Sequence, residues 1–204
     1  MRTLITLLIF LPTALLAQDR AKDILDKVSQ KTSSYSTIEA HFTNSIVSKA
    51  AGINESQKGK LFLQGDFYRL EMESQTLISD GENNWIHLLD EKEVQIIEID
   101  EDEENITPSK MFTLYQDGYR YQFISETSSD FLIDLIPEES GSFIKIELKI
   151  NKQEMRISSF IMHDKNGGQY SYVISLFKAN QVFEQKLFTF DPSAHPGVDV
   201  IDLR

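Results

Sequence analysis

The chain of 204 residues contains no cysteine. This absence excludes disulfide bonds, thiolate nucleophiles, thiolate metal sites and a lipid-modified cysteine. A chain without such cross-links depends on its hydrophobic core for stability. The 187 residues beyond position 17 suffice for one domain of ordinary size, so we predict a single domain over residues 18–204.

Basic residues are scarce. The chain has 20 lysines and arginines against 32 aspartates and glutamates, and without Arg2 its net charge is −13. Such a chain is repelled by nucleic-acid phosphates and by anionic membrane surfaces. We expect no nucleic-acid partner, and we expect a monomer that stays soluble between membranes.

Long hydrophobic runs are missing after residue 17. Residues 4–11 are apolar apart from Thr6, Arg2 gives the segment a positive start, and Ala17 is a small residue suited to cleavage. The run is shorter than the roughly 20 residues that a membrane-spanning helix needs. It predicts a secretory signal peptide over residues 1–17 and a periplasmic location for the mature chain.

Recognisable catalytic machinery is also absent. Ser140-Gly141-Ser142 lies in a predicted loop, unlike the strand-to-helix turn of a serine hydrolase, and no phosphate loop or dinucleotide glycine fingerprint occurs. No metal site is indicated by the four scattered histidines, which lack the spacing of a ligand set: His41, His87, His163 and His195. The sequence predicts no enzyme, no metal and no cofactor.

Residues 61–89 form the clearest pattern in the chain. Extended runs meet in pairs at the hairpin signals Gly65-Asp66 and Asp80-Gly81; the runs cover residues 61–63, 67–72, 75–79 and 85–89. Successive residues of a strand point to opposite faces of the sheet, and here apolar side chains occur on both faces. If one face were exposed to solvent, the residues pointing to it would all be polar. We therefore predict a largely apolar face that helices cover incompletely, which leaves an apolar cavity.

The segments before these hairpins show a helical and then an alternating pattern. Residues 20–34 predict a first helix with Asp19 as its N-cap and one apolar stripe of Ala21, Ile24, Leu25 and Val28. Residues 37–47 predict a half-buried strand with Ile38, Ala40, Phe42 and Ile46 on its apolar side. Residues 50–57 predict a polar loop.

A second helix is predicted after the acidic run at 100–104. That run predicts a solvated loop, because a calcium loop needs ligands at alternate positions and a glycine turn. Thr107-Pro108 is a helix start and Gly118 a helix stop. Four large apolar residues on so short a helix cannot all face one sheet, so the helix is either a buried plug or a lid: Met111, Phe112, Leu114 and Tyr115.

The remaining chain predicts an antiparallel meander. Strands are predicted at residues 94–99, 119–125, 131–136, 143–150, 155–163, 170–177 and 186–190. Pro192 and Pro196 predict an extended tail without helix. The fold class is mainly β, with about eleven strands in an antiparallel sheet that curls around short α-helices.

Four stretches together resemble the LolA family, the periplasmic carriers of outer-membrane lipoproteins. LDKVSQKTSSYSTIEAHFTNSIV resembles the family's N-terminus, including the strand residue Phe42. GKLFLQGDFYRLEM resembles its G-x-L segment with the F-x-R-x-E run, and LISDGENNWIHL its S-D-G region. LFTFDPSAHPGVDVIDLR resembles the F-x-F-x-P…GV-x-V-x-D-x-R terminus, so the likeness spans the mature chain in order.

The resemblance implies an unclosed antiparallel β-barrel covered by helices, with an apolar interior that holds lipoprotein acyl chains. It also implies loading by an inner-membrane ABC lipoprotein-releasing transporter and delivery to an outer-membrane acceptor lipoprotein where one exists. One departure concerns the lid. Family members carry a basic residue and a proline just after the G-x-L strand, where this chain has Gly65-Asp66, while Arg69 matches another frequent family arginine.

These considerations give a set of expected site residues. Ile24 and Val28 of the first helix would form the lid with Met111, Phe112 and Tyr115 of the second. We expect partner docking around Phe67 and Arg69. Acyl chains would contact the lid residues and the apolar strand residues Phe42, Leu61, Leu63, Tyr68, Leu70 and Met72, although each of these could instead pack the core.

Other functions remain open from the residues alone. The same cavity would suit another hydrophobic envelope molecule, such as a pigment or a glycolipid. A lipoprotein-sensing regulator on the same fold is a second alternative. An enzyme on a β-scaffold is a third, which the absence of catalytic motifs disfavours.

Overall fold

The computed structural model describes residues 13–98, 115 and 118–204. Helix α1 spans Thr13–Ser33. Twelve strands follow: β1 Ile38–Ser48, β2 Ile53–Gln64, β3 Phe67–Glu71, β4 Gln75–Ser79, β5 Asn83–Leu88, β6 Glu93–Glu98, β7 Tyr119–Glu126, β8 Asp130–Pro137, β9 Phe143–Asn151, β10 Arg156–Asp164, β11 Gln169–Ala179 and β12 Asp199–Asp202. Two short 3-10 helices, Gln185–Phe188 and Pro192–Ala194, lie between β11 and β12.

All twelve strands belong to one sheet, in the order β12-β6-β5-β4-β3-β2-β1-β11-β10-β9-β8-β7. Neighbouring strands are antiparallel, except that β12 runs parallel to β6. Within the described ranges, β12 and β7 each pair on one side only, so the sheet does not close. The predicted class, mainly β with an unclosed sheet, is confirmed.

Helix α1 covers the β7–β10 part of the sheet. Its predicted apolar stripe is confirmed, since Ala21, Ile24, Leu25 and Val28 are at most 6% exposed. They pack against buried residues of β8 and β9, namely Ile133, Leu135, Ile146, Leu148 and Ile150. The helix begins at Thr13, so Asp19 lies inside it and is not its N-cap. Residues 13–19 contain no glycine or proline, so the sequence has no helix breaker that would make the helix begin at Asp19.

The predicted loop at residues 50–57 is wrong. The chain turns over residues 49–52, where Gly52 adopts a φ of +68°, and β2 begins at Ile53. The first part of β2 is polar and exposed, so it shows no hydrophobic alternation. It is a strand because its backbone pairs with β1 along the whole of that strand, from Ser48 opposite Ile53 to Ile38 opposite Leu63.

The predicted hairpin turns of the central series are confirmed. Gly65 and Gly81 both have positive φ, at +61° and +87°, which other residues adopt only with strain. At the second turn, Oδ1 of Asp80 accepts hydrogen bonds from the backbone N–H groups of Glu82 and Asn83. The acidic run 100–104 and the second helix lie outside the described residues, apart from Tyr115 and Gly118.

The C-terminal segment, residues 180–198, corrects two further predictions. The strand expected at 186–190 is a 3-10 helix, Gln185–Phe188, because Phe188 turns into the core, where it is 1% exposed. The tail is not wholly extended, since Pro192 starts a second 3-10 turn that the Asp191 side chain caps. Beyond it, β12 is an additional strand that the sequence did not predict.

This C-terminal segment covers the β3–β6 part of the sheet on the face opposite to α1. Phe190 is buried with Ile78 and Val94, and Trp85 and Val198 pack against them. Phe188 lies 6.0 Å from Phe67, measured between ring centroids. The two coverings therefore lie at different parts of the sheet and on different faces.

His87 connects β5 to this segment. It is 6% exposed, and its ring centroid lies 5.1 Å from that of Phe190 and 5.0 Å from that of His195. Burial lowers the pKa of His87, and the neighbouring His195 and Arg69 lower it further. The folded protein therefore favours the neutral ring.

We predict that acid weakens the fold through His87. Because the pKa is lower in the folded state, the unfolded chain takes up the proton first, and the free energy of unfolding falls as the pH drops below about 6.5. The loss grows until the pH is below the folded-state pKa. Urea unfolding between pH 7.5 and 5.0 measures it, and His87→Phe, which keeps a ring but cannot titrate, should flatten the dependence. An unchanged pH dependence in that variant would contradict the assignment.

Candidate functional site

An apolar row crosses five strands on the face of the sheet that α1 occupies. Directly opposed residues share a face in antiparallel pairs, so the register places one row side by side across the strands. Its members are Ala40 of β1, Leu61 of β2, Leu70 of β3, Leu77 of β4 and Ile86 of β5. A second row on the same face joins Ile38, Leu63 and Tyr68.

The residues of these two rows differ in burial. Ile38, Ala40, Leu63 and Tyr68 form a buried cluster. The neighbouring residues are only half-buried, and we call them the open apolar face: Leu61, Leu70, Met72, Leu77 and Ile86. Helix α1 packs on β7–β10 and does not cover this part. The open apolar face is therefore a hydrophobic surface beside the buried core, which is the arrangement that an apolar ligand requires.

An aromatic row runs from Phe42, beside the open apolar face, to Phe160, which packs against the core under α1. The rings of Phe42 and Tyr172 lie 5.7 Å apart, and those of Tyr172 and Phe160 are stacked at 4.6 Å. Burial raises the pKa of the Tyr172 hydroxyl. The row crosses β1, β11 and β10 and forms a side wall of aromatic rings.

Gly59 allows Phe42 to lie close to the sheet. A Cβ atom at this position would be 2.3 Å from Cζ of Phe42 and 2.9 Å from the sulfur of Met72. The φ of Gly59 is not positive, so the backbone does not require glycine here. The close approach of the Phe42 ring is the reason for a glycine inside this strand.

The polar groups along this face bind one another. The Tyr68 hydroxyl donates to Oδ1 of Asn84 at 3.1 Å, and burial raises the pKa of this hydroxyl. Nδ2 of Asn44, which is 3% exposed, donates to the Ser171 carbonyl. These polar side chains of the face are thus paired within the protein.

No catalytic constellation accompanies this surface in the described ranges. The four histidines lie at three separate places: His41 contacts Glu39, His87 contacts His195, and His163 contacts Glu147. No three His, Asp or Glu side chains of the described residues are grouped to hold a metal ion.

The structure places the expected lipid-contact residues in two groups. Phe42, Leu61, Leu63, Tyr68, Leu70 and Met72 share the face described above, although Phe42, Leu63 and Tyr68 are buried. Ile24 and Val28 are also buried, in the core under α1, and the Tyr115 hydroxyl donates to Asp26 of that helix. Met111 and Phe112 lie outside the described residues.

The two expected docking residues lie on the other face, beneath the C-terminal segment. Phe67 packs on Phe188. Nε of Arg69 donates to Glu71 at 2.8 Å, and its Nη1 donates to the Leu187 carbonyl at 3.5 Å. Arg69 therefore attaches the C-terminal segment to β3.

Sequence reasoning missed several residues of the site. Leu77 and Ile86 lie in strands that were predicted, and the alternation of Ile86 with Trp85 could have placed it on the open apolar face. Tyr172, Phe160 and Gly59 carry no local signal, because their roles come from contacts between strands distant in sequence.

Comparison with known proteins supports the resemblance. The sequence matches the family model for the "Outer membrane lipoprotein carrier protein LolA" over residues 33–191. No curated protein matches the sequence. In the part of the chain that the structure describes, no helix combines the length and apolar composition needed to cross a membrane.

Solved structures share the fold at low sequence identity. An uncharacterized conserved protein from Thermus thermophilus matches with a TM-score of 0.61 at 15% identity, over 90% of this chain and 99% of that one. LprF from Mycobacterium bovis matches with a TM-score of 0.50 at 10% identity, over 81% and 96%. A LolA superfamily protein from Nitrosomonas europaea matches with a TM-score of 0.49 at 14% identity, over 84% and 98%.

The family model covers well over half of the chain, and the unclosed sheet with its apolar face agrees with the resemblance drawn from four separate motifs. The chain therefore belongs to the LolA family of outer membrane lipoprotein carrier proteins.

Proposed function

We propose that this protein is a periplasmic carrier that binds the acyl chains of lipoproteins and shuttles lipoproteins from the inner to the outer membrane. The observation that carries the proposal is the open apolar face, a half-buried hydrophobic surface beside a helix that covers only another part of the sheet. Membership of the LolA family supports the same cargo. The carrier acts without chemical catalysis, because it only needs to keep acyl chains away from water.

The energetics favour partial rather than full coverage of the chains. Burying one methylene contributes about 0.8 kcal/mol, so one chain of about fourteen carbons would contribute on the order of 11 kcal/mol if fully buried. Three such chains would exceed the roughly 18–21 kcal/mol at which noncovalent affinities saturate. A half-buried binding face suits a carrier that must also release its cargo.

In this proposal, Leu61, Leu70 and Met72 contact the cargo directly, while Phe42, Leu63 and Tyr68 form the floor beneath it. Ile24, Val28, Met111, Phe112 and Tyr115 belong to the helices expected to close over the chains. The signal peptide over residues 1–17 would deliver the carrier to the periplasm. An inner-membrane ABC transporter would load it, and an outer-membrane acceptor would receive the cargo.

Native mass spectrometry of the protein purified from periplasm, with extraction of co-purifying lipids, tests the cargo. A triacylated peptide or lipoprotein at one per carrier supports the proposal. If a pigment, a glycolipid or a free fatty acid co-purifies instead, the binding face would stand but the proposed cargo would be wrong. A protein that is empty and takes up no added lipid would reject the carrier function.

We predict that polar substitutions on the open apolar face weaken lipid binding more than they weaken the fold. Leu70→Gln combined with Leu77→Gln removes two directly opposed apolar contacts, and we expect the affinity for a fluorescent diacylglyceryl peptide to fall by about tenfold or more. Leu132→Gln with Ile161→Gln is the matched control, because these residues are also half-buried but lie on the other face. Equal loss of binding in both variants, after correction for the folded fraction, would contradict the location of the site.

We also predict that Gly59→Ala narrows the site. The new methyl group must displace the Phe42 ring away from the sheet and into the space for the acyl chains. The affinity for the same peptide should fall by about tenfold, and adding Phe42→Leu should restore part of it by removing the ring. Gly141→Ala is the control, since its φ is not positive and a Cβ there meets nothing within 4 Å. Unchanged affinity in Gly59→Ala would show that Phe42 does not limit the site.

A further inference from the structure

A separate pocket of about 270 Å³ lies between the β4–β5 turn and the C-terminal segment. One of its walls is Phe67 of β3, whose neighbour Arg69 faces the C-terminal segment, so the pocket belongs to the side of the sheet opposite to the open apolar face. Six residues line it: Phe67, Asp80, Glu82, Gln185, Phe188 and Thr189.

The aromatic walls are held in place by the core. Phe188 is 1% exposed, and its ring lies 6.0 Å from that of Phe67 at an angle of 48°. Gly81 lies against the other side of Phe67, since a Cβ at Gly81 would be 3.1 Å from that ring. With φ at +87°, Gly81 also fixes the turn that carries the two acidic residues. The pocket is preformed, which reduces the entropy lost when a side chain enters it.

The charge of the lining is negative. In the described part of the chain, no lysine, arginine or histidine forms an ion pair with Asp80 or Glu82, whereas nearby Glu71 pairs with Arg69 and Glu184 with Lys186. Among the described residues, Asp80 accepts hydrogen bonds from Glu82 and Asn83 of its own turn. The pocket therefore combines the half-buried ring of Phe67 with two carboxylates that have no cationic partner in the described chain, and both features attract a cation.

The size of the pocket indicates a side chain rather than a lipid. Its volume lies just below the range of about 300–1,000 Å³ typical of small-molecule sites. A guanidinium group fits the lining better than an ammonium group, because it is planar, stacks on aromatic rings and binds carboxylates through two parallel hydrogen bonds. Val182 is 98% exposed, and the ring of the adjacent Phe183 lies 6.1 Å from Phe188. An exposed apolar residue in the same C-terminal segment favours a protein partner over a free cation.

We propose that this pocket receives an arginine side chain of a protein partner, on the side of the sheet opposite to the acyl chains. The inference extends the proposed function, because a carrier that loads and unloads must be recognised while its cargo site is occupied. Phe67 forms a wall of the docking site, whereas Arg69 acts only by attaching the C-terminal segment.

Titration of the isotope-labelled mature protein with N-acetyl-arginine N-methylamide, followed by NMR, tests the proposal. We expect amide shifts confined to residues 80–83 and 185–189, and none with the citrulline analogue, which has the same shape without the charge. Equal shifts with citrulline, shifts spread over many carboxylates, or no shifts would overturn it. Tighter binding of free arginine than of the blocked amide would indicate a metabolite site and would also overturn it.

Asp80→Asn with Glu82→Gln removes both charges while keeping a turn-forming side chain at residue 80. We expect binding of the arginine probe to weaken by about tenfold or more. Glu138→Gln with Glu139→Gln is the matched control, since both residues are exposed and have no ion pair in the described chain; it should bind the probe normally. If the double variant at the turn fails to fold, Glu82→Gln alone, at an exposed position, should still weaken binding several-fold.

Binding of the diacylglyceryl peptide by the same variants separates this inference from the proposed function. Normal lipid binding with loss of arginine binding in the turn variant supports two independent sites. Equal arginine binding by the turn variant and the unaltered protein would overturn the docking site while leaving the carrier function intact. Failure of the unaltered protein to bind lipid would reject the carrier function, and the arginine titration would still decide whether the pocket binds a guanidinium group.

Discussion

In the described part of the chain, the structure depends on a mismatch in width between one apolar sheet face and helix α1, which covers only part of that face. Twelve strands spaced about 4.8 Å apart span roughly 53 Å, whereas a helix with its side chains is about 10–12 Å wide. Helix α1 therefore buries apolar side chains of β8 and β9, whereas Leu61, Leu70, Leu77 and Ile86 of β2–β5 are half-buried. An exposed apolar surface of this kind marks an interaction or ligand-binding site in many soluble proteins, and it is the basis of the function proposed above.

The C-terminal segment covers a different apolar region, on the opposite face of the sheet. There the strands β3–β6 carry Ile78, Trp85 and Val94, which also need cover. The segment supplies Phe188 and Phe190 and is attached through Arg69 and through the parallel pairing of β12 with β6. This cover lies on the face opposite to the open apolar face, and the acidic pocket forms where the segment meets the β4–β5 turn.

The fine shape of the open apolar face depends on contacts between distant strands. Phe42 lies close to the sheet because Gly59 has no side chain, and the Phe42–Tyr172–Phe160 row closes one side. Composition alone would not reveal this arrangement, because it depends on the absence of a side chain at Gly59 where the Phe42 ring approaches the strand.

The sequence by itself determined the fold class, the family resemblance, the stripe of α1 and the turns at Gly65 and Gly81, because each depends on residues close together in the chain. It also assigned Leu70 and Met72 to one face through alternation. Only the tertiary structure decided the long polar half of β2, the 3-10 helix at Gln185–Phe188 and the strand β12. These elements are stabilised by backbone pairing or by burial against strands far away in sequence, and neither leaves a local pattern. For the same reason, only the structure showed that Arg69 binds the C-terminal segment and that Gly59 lies beneath Phe42.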